Sequence, residues 1–217
     1  MLAQLAMSAG NQPEAVSRYK KAIALDKKEI YPDPHINLGS LLEDQKDVDG
    51  AIAEERKAIR IAPKDPDGHL NLGVILCDSG KIGDGLVELK RAVDLAPSNA
   101  NAHLAFGIWL SQNSSYKNLA QATDELYWAS SLDSNDPQAL LALDGALNEQ
   151  QRSVELRAVE AKLCETASNN VVFRKRLVEI LTKGGVSLPG CIQQPQSDAT
   201  SGSVASSKSG LPPQKTH

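Results

Sequence analysis

The chain has 217 residues, of which 41% are hydrophobic but only 4% aromatic, and its formal net charge is −4. That is enough apolar material for one or two cores, filled by Ala and Leu rather than by the β-branched and aromatic residues that strands favour, so closely packed helices are expected. A mildly acidic balance leaves no electrostatic footprint for nucleic acid, and no run approaches the roughly 18 consecutive apolar residues of a membrane span.

Met1 to Gly10 lacks the basic start and long apolar core of a secretory signal, which points to a soluble cytoplasmic protein. Cys77, Cys164 and Cys191 are odd in number and far apart, without a CxxC pair. They are expected as free or buried thiols rather than as a disulfide framework or a zinc site.

In chain order, Met1 to Ala9 reads as a helix that starts already inside a repeating pattern. Either part of the start is missing or the first unit is a shortened cap. Residues 13–26, PEAVSRYKKAIALD, read as the helix that completes this partial unit, with Ala15 and Ala22 at small-residue places. The unit spans 1–32 and has two extra residues near Ile30-Tyr31.

Three fuller copies follow at 33–66, 67–100 and 101–136. His35, His69 and His103 fall 34 residues apart, as do Gly39, Gly73 and Gly107; Ala58 and Ala92 share that interval, and so do Pro63 and Pro97. Small residues let two helices approach closely, the stretches Asp47 to Gly50 and Ser79 to Lys81 read as turns, and Pro63 and Pro97 stop the second helix of their copies. About three extra residues near Asn113 to Ser115 return Ala122 and Ala129 to the small-residue places of the third copy.

The span 137–183 holds a degenerate pair, Pro137 to Glu149 and Ser153 to Cys164, with Asp144 or Gly145 where Gly stood before. The amphipathic stretch Val171 to Lys183 sets Val172, Leu177, Ile180 and Leu181 toward one face and reads as a C-terminal cap. From Gly184 to His217 the chain is rich in Ser, Gly, Pro and Gln, and disorder is expected.

Leu38-Gly39, Ala51, Ala58 and Pro63, then Leu72-Gly73, Gly85, Ala92 and Pro97, recur together at one period, and this pattern resembles the tetratricopeptide repeat family. The resemblance covers roughly residues 1–165 and is strongest between 33 and 134. It implies an all-α solenoid of helix-turn-helix units wound as a right-handed superhelix, and a scaffold or adaptor that holds an extended segment of another protein in a concave groove.

The family's first helices line that groove. The resemblance therefore implies a peptide-binding set of Asn37, Glu43, Asp44, Asn71, Asp78 and Ser111, with Asp33, Ser40, Asp67, Val74, Cys77, Asn101, Ala105, Ile108 and Gln112 along the same wall. Asn37 and Asn71 hold one place in consecutive copies, and an Asn amide can both donate to and accept from a peptide unit.

A second family use, the clamp for acidic chaperone C-termini, is not expected. Its five places are Ile36, Ser40, Asn71, Asn101 and Ala105, of which only Asn71 fits and none is basic. The alternative to a scaffold is a non-catalytic regulatory arm of an enzyme such as a protein glycosyltransferase.

No catalytic residue, cofactor or metal site is expected. There is no GxSxG, P-loop, HExxH or GxGxxG. The repeated histidines sit where the family packs a bulky aromatic residue, on helices about 8–10 Å apart, and are read as packing residues rather than as ligands. Glu54-Glu55 reads as an ordinary solvated helix face.

Overall fold

The computed structural model describes residues 12–183, apart from 27, 29, 114 and 116. The helix expected at Met1 to Ala9 and the Ser/Pro-rich segment from Gly184 onward lie outside the described residues. Within them the chain is all-helical: α1 (Gln12–Leu25), α2 (Asp33–Asp44), α3 (Val48–Ile61), α4 (Pro66–Asp78), α5 (Ile82–Leu95), α6 (Ala100–Gln112), α7 (Leu119–Leu132), α8 (Gln138–Glu149), α9 (Ser153–Asn169) and α10 (Val171–Lys183).

The helices begin and end where local chemistry dictates. Asp47 accepts from the Gly50 amide at 3.0 Å, Asn99 from those of Asn101 and Ala102 at 3.0 and 3.2 Å, and Asn118 from that of Gln121 at 3.1 Å, so each caps a helix start. α3 and α5 stop at Ile61 and Leu95, two residues before Pro63 and Pro97.

The turns differ in one detail from the expectation. Asp47 to Gly50 is not a turn but the cap and first turn of α3. The reversal is made one residue earlier by Lys46, at φ 66°, in the next copy by Gly80 at 86° and in the fourth pair by Gln151 at 57°. Behind each, the amide of the following residue reaches back five positions, Asp47 to Leu42, Lys81 to Leu76 and Arg152 to Leu147, at 2.8, 2.9 and 3.1 Å. This is the left-handed closure of a helix C-terminus, and Lys46 and Gln151 adopt it without being glycine.

Helices pair as antiparallel neighbours, α2 with α3, α4 with α5 and α6 with α7, and each second helix also lies on the first helix of the next unit. The first helices α2, α4, α6 and α8 touch in succession and form a continuous wall. Small residues permit the close approach: a Cβ on Gly73 would lie 2.7 Å from Leu89 Cγ and 2.9 Å from its backbone nitrogen, and one on Gly107 2.7 Å from Leu126 Cγ. In the fourth pair a Cβ on Gly145 would meet nothing within 4 Å, so the helix contact falls to half-buried Asp144 rather than to Gly145.

The core is segmented along the stack, with Leu38, Leu41, Leu72 and Ile75 in one cluster, Leu89, Phe106 and Leu110 in the next, and Leu126, Leu143, Phe173 and Leu177 in the last. The capping helix α10 spans the expected residues, but its buried face is Phe173, Leu177 and Leu181, while Val172 is 65% exposed. A spacing of four keeps Phe173 in line with Leu177 and turns Val172 away.

The cysteines divide. Cys77 is a free buried thiol whose Sγ lies 3.9 Å from the Ile82 carbonyl, whereas Cys164 is disulfide-bonded, which corrects the reading of all three as free thiols.

Candidate functional site: the wall of first helices

The wall is built from residues one turn apart on α2 and α4. Asp33, Asn37 and Ser40 precede Glu43 and Asp44 on α2; Asp67 and Asn71 precede Asp78 on α4. Asp44, Asp67 and Asp78 are exposed, and Asn37, Glu43 and Asn71 are half-buried.

The carboxylates are close enough to act on one another. Partial burial and then the charges of Asp78 and Asp44 push the Glu43 carboxyl above its ordinary range; burial, Asp65 and Asp33 do the same to Asp67. The expected residues Glu43, Asp44 and Asp78 are thus brought together as one acidic strip across α2 and α4.

The two asparagines are not equivalent. Asn37 Nδ2 donates to the Asp33 carbonyl of its own helix at 2.7 Å, whereas Asn71 Nδ2 reaches across to Glu55 Oε1 at 3.3 Å. Each keeps its Oδ1 and a second N–H for another partner. Ser111 is not part of the acidic strip. Its hydroxyl donates to the Ile108 carbonyl at 2.8 Å, and it lines an open cleft of ≈ 420 Å³ farther along the wall with Gln112, Leu141, Gly145 and Glu149. Cys77, expected on the wall, faces inward instead, pressed against Gly85, and burial followed by Asp78 raises its thiol to about 11.

Glu55 overturns its expectation as a solvated acid. It is 0% exposed, on the inner face of α3. Its Oε1 lies 2.6 Å from where a Cβ would stand on Gly39, and its Oε2 has no hydrogen-bond partner. Burial raises its carboxyl to about 8, with Glu43, Asp67 and Glu54 adding to the rise and the Asn71 bond opposing it. The equivalent places in the next two copies hold Leu89 and Leu126, both fully buried. That comparison was available in the sequence, since Glu55 and Leu89 share the 34-residue interval.

The repeated histidines are buried and each meets a glutamate on the second helix of its own copy: His35 Nδ1 to Glu54 at 2.6 Å, His69 to Glu88 at 2.7 Å, His103 to Glu125 at 2.6 Å. The far nitrogens of His69 and His103 face the Pro63 and Pro97 carbonyl oxygens of the preceding copy at 3.3 and 2.9 Å. His103 also stacks on Trp128, with ring centroids 6.3 Å apart. They are packing residues, and His69 and His103 also clasp consecutive copies. Among the described residues no group of His, Cys, Asp or Glu is arranged to hold a metal ion, and no helix is long and apolar enough to cross a membrane.

Stacked helical hairpins at a 34-residue interval, closed by small residues and a shared wall, define a repeat solenoid. Residues 1–66 match the family model described as tetratricopeptide repeat, and the fold of the described residues is that of solved tetratricopeptide-repeat solenoids.

PilF of Pseudomonas aeruginosa superposes with a TM-score of 0.65 at 18% identity over 86% of this chain and 90% of that one. MamA from Desulfovibrio magneticus RS-1 gives 0.61 at 17% identity over 82% and 92%. YrrB, described as a tetratricopeptide-repeat protein with an unusual peptide-binding site, gives 0.60 at 19% identity over 80% and 87%. No curated protein matches the sequence. Identities this low carry the fold and nothing finer.

Proposed function

We propose that the chain is a protein-interaction scaffold that binds an extended segment of a partner along the wall of first helices. The observation that carries this reading is the acidic strip of Glu43, Asp44 and Asp78 running beside Asn37 and Asn71. The asparagines supply backbone-directed amides and the acids favour neutral or basic segments. The likeness in fold to YrrB, whose description names a peptide-binding site, supports the same mode. The absence of basic side chains at Ile36, Ser40, Asn101 and Ala105 disfavours an acidic C-terminus as the bound segment.

The test is a titration with an array of short extended peptides, followed by hydrogen-exchange mapping of the strongest binder. Protection is expected along α2, α4 and α6. Protection confined to α3, α5 and α7 would refute the groove.

A further inference from the structure

The acidic strip has a floor that the other copies lack. At the seam of α2 and α4 the buried side chain behind the wall is a carboxylate, Glu55, where the following copies place Leu89 and Leu126. Gly39 leaves space for it on α2, and Asn71 covers it from α4 through a bond of 3.3 Å, at the long end of the useful range. Its second oxygen has no partner. An uncompensated polar atom in a closed site is costly and calls for a specific explanation, a functional role among them. The charged groups acting on it are all acids, Glu43 from α2, Asp67 from α4 and Glu54 on its own helix, so no internal cation answers it.

We propose that Glu55, with Glu43 and Asp67 at its mouth and Asn71 as its cover, receives one basic side chain, a lysine ammonium or arginine guanidinium, of the segment bound in the groove. This rests on the groove reading above and deepens it by naming a specificity position. A peptide backbone that recruits the Asn71 amide weakens its hold on Glu55 Oε1 and opens the carboxylate to the wall. The arriving cation then pairs with Glu55, which releases its proton to solvent. Burial raises that carboxyl to about 8, so preference for a basic side chain should strengthen as pH rises toward 8 and level off above it.

The experiment uses extended Ala/Ser peptides that carry lysine, arginine, norleucine or citrulline at one position scanned along the segment, titrated against the full chain. One register is expected in which lysine or arginine binds roughly ten- to a hundredfold more tightly than its neutral analogue, the value of a charge-assisted bond. In Glu55→Leu, which copies Leu89 and Leu126, that ratio should collapse toward one. Glu55→Gln, closer in shape, gives the same reading should the leucine variant fail to fold.

A basic preference that survives both variants would assign it to Asp44 and Asp78 and overturn the pocket while leaving the groove intact. Peptides that bind along α2 and α4 with no basic preference would do the same. Binding by no peptide on this wall would overturn the groove and the pocket together.

Discussion

Replacing Glu55 by leucine should stabilise the protein, and by an amount that depends on pH. Burial raises the carboxyl from 4.5 to about 8. The folded chain therefore holds a proton that the unfolded chain has released, so stability is full below the unfolded value and falls as pH climbs toward 8. At about 1.4 kcal/mol per unit, the interval from 4.5 to neutrality costs about 3 kcal/mol. Leucine removes this cost, and its extra apolar burial adds on the order of 1 kcal/mol.

Gly39 tolerates the exchange because the same arrangement already exists at Gly73 over Leu89 and at Gly107 over Leu126. Urea unfolding followed by helical circular dichroism at about pH 5, 7 and 9 gives the difference directly. The gap between variant and wild type should be small at the lowest pH, widen to about 3–4 kcal/mol near neutrality and stop growing above pH 8. A leucine variant less stable than wild type at neutrality, or a gap that ignores pH, would refute the argument that this carboxyl is buried without compensation.

Three further outcomes follow from the same geometry. Gly73→Leu should destabilise by at least about 1–3 kcal/mol in thermal unfolding, because a Cβ there already meets the Leu89 backbone nitrogen at 2.9 Å; an unchanged melting temperature would mean that α4 and α5 do not meet there. Asn37→Ala with Asn71→Ala should weaken a groove-bound peptide by about one to two decades, and calorimetric unfolding should show a stability loss of only about 1 kcal/mol, from Glu55 losing its one hydrogen bond. Asp44→Lys with Asp78→Lys should slow association of a basic peptide and flatten its salt dependence in stopped-flow measurements while leaving the helical spectrum unchanged.

The repeat was legible because its signals are local or strictly periodic. Pro63 and Pro97 end helices by their own covalent geometry, and Gly39, Gly73 and Gly107 recur with the helix contacts they allow. What escaped were features set by context. Lys46 takes a left-handed conformation that its type does not advertise, and Val172 lost its place in the capping face to Phe173, one residue away.

Glu55 was hidden by its charge: beside Glu54 it reads as solvated, and only alignment with Leu89 shows that the position is core. The wall residues were named by register. The register gave Asn71 and the acids together but not the tie from Asn71 to Glu55, which depends on the distance between two helices rather than on spacing along one.

The histidine–glutamate clasp bears on where this chain can change length. The span from His35 to Glu54 equals that from His69 to Glu88, while His103 and Glu125 stand three residues farther apart, yet the third pair closes at 2.6 Å like the first. The register of that hairpin is thus held by the clasp, and the connection from Gln112 to Leu119 absorbs the surplus. A reporter peptide, a protease site or an affinity tag inserted into the same connection has the structural precedent for being carried without disturbing the stack.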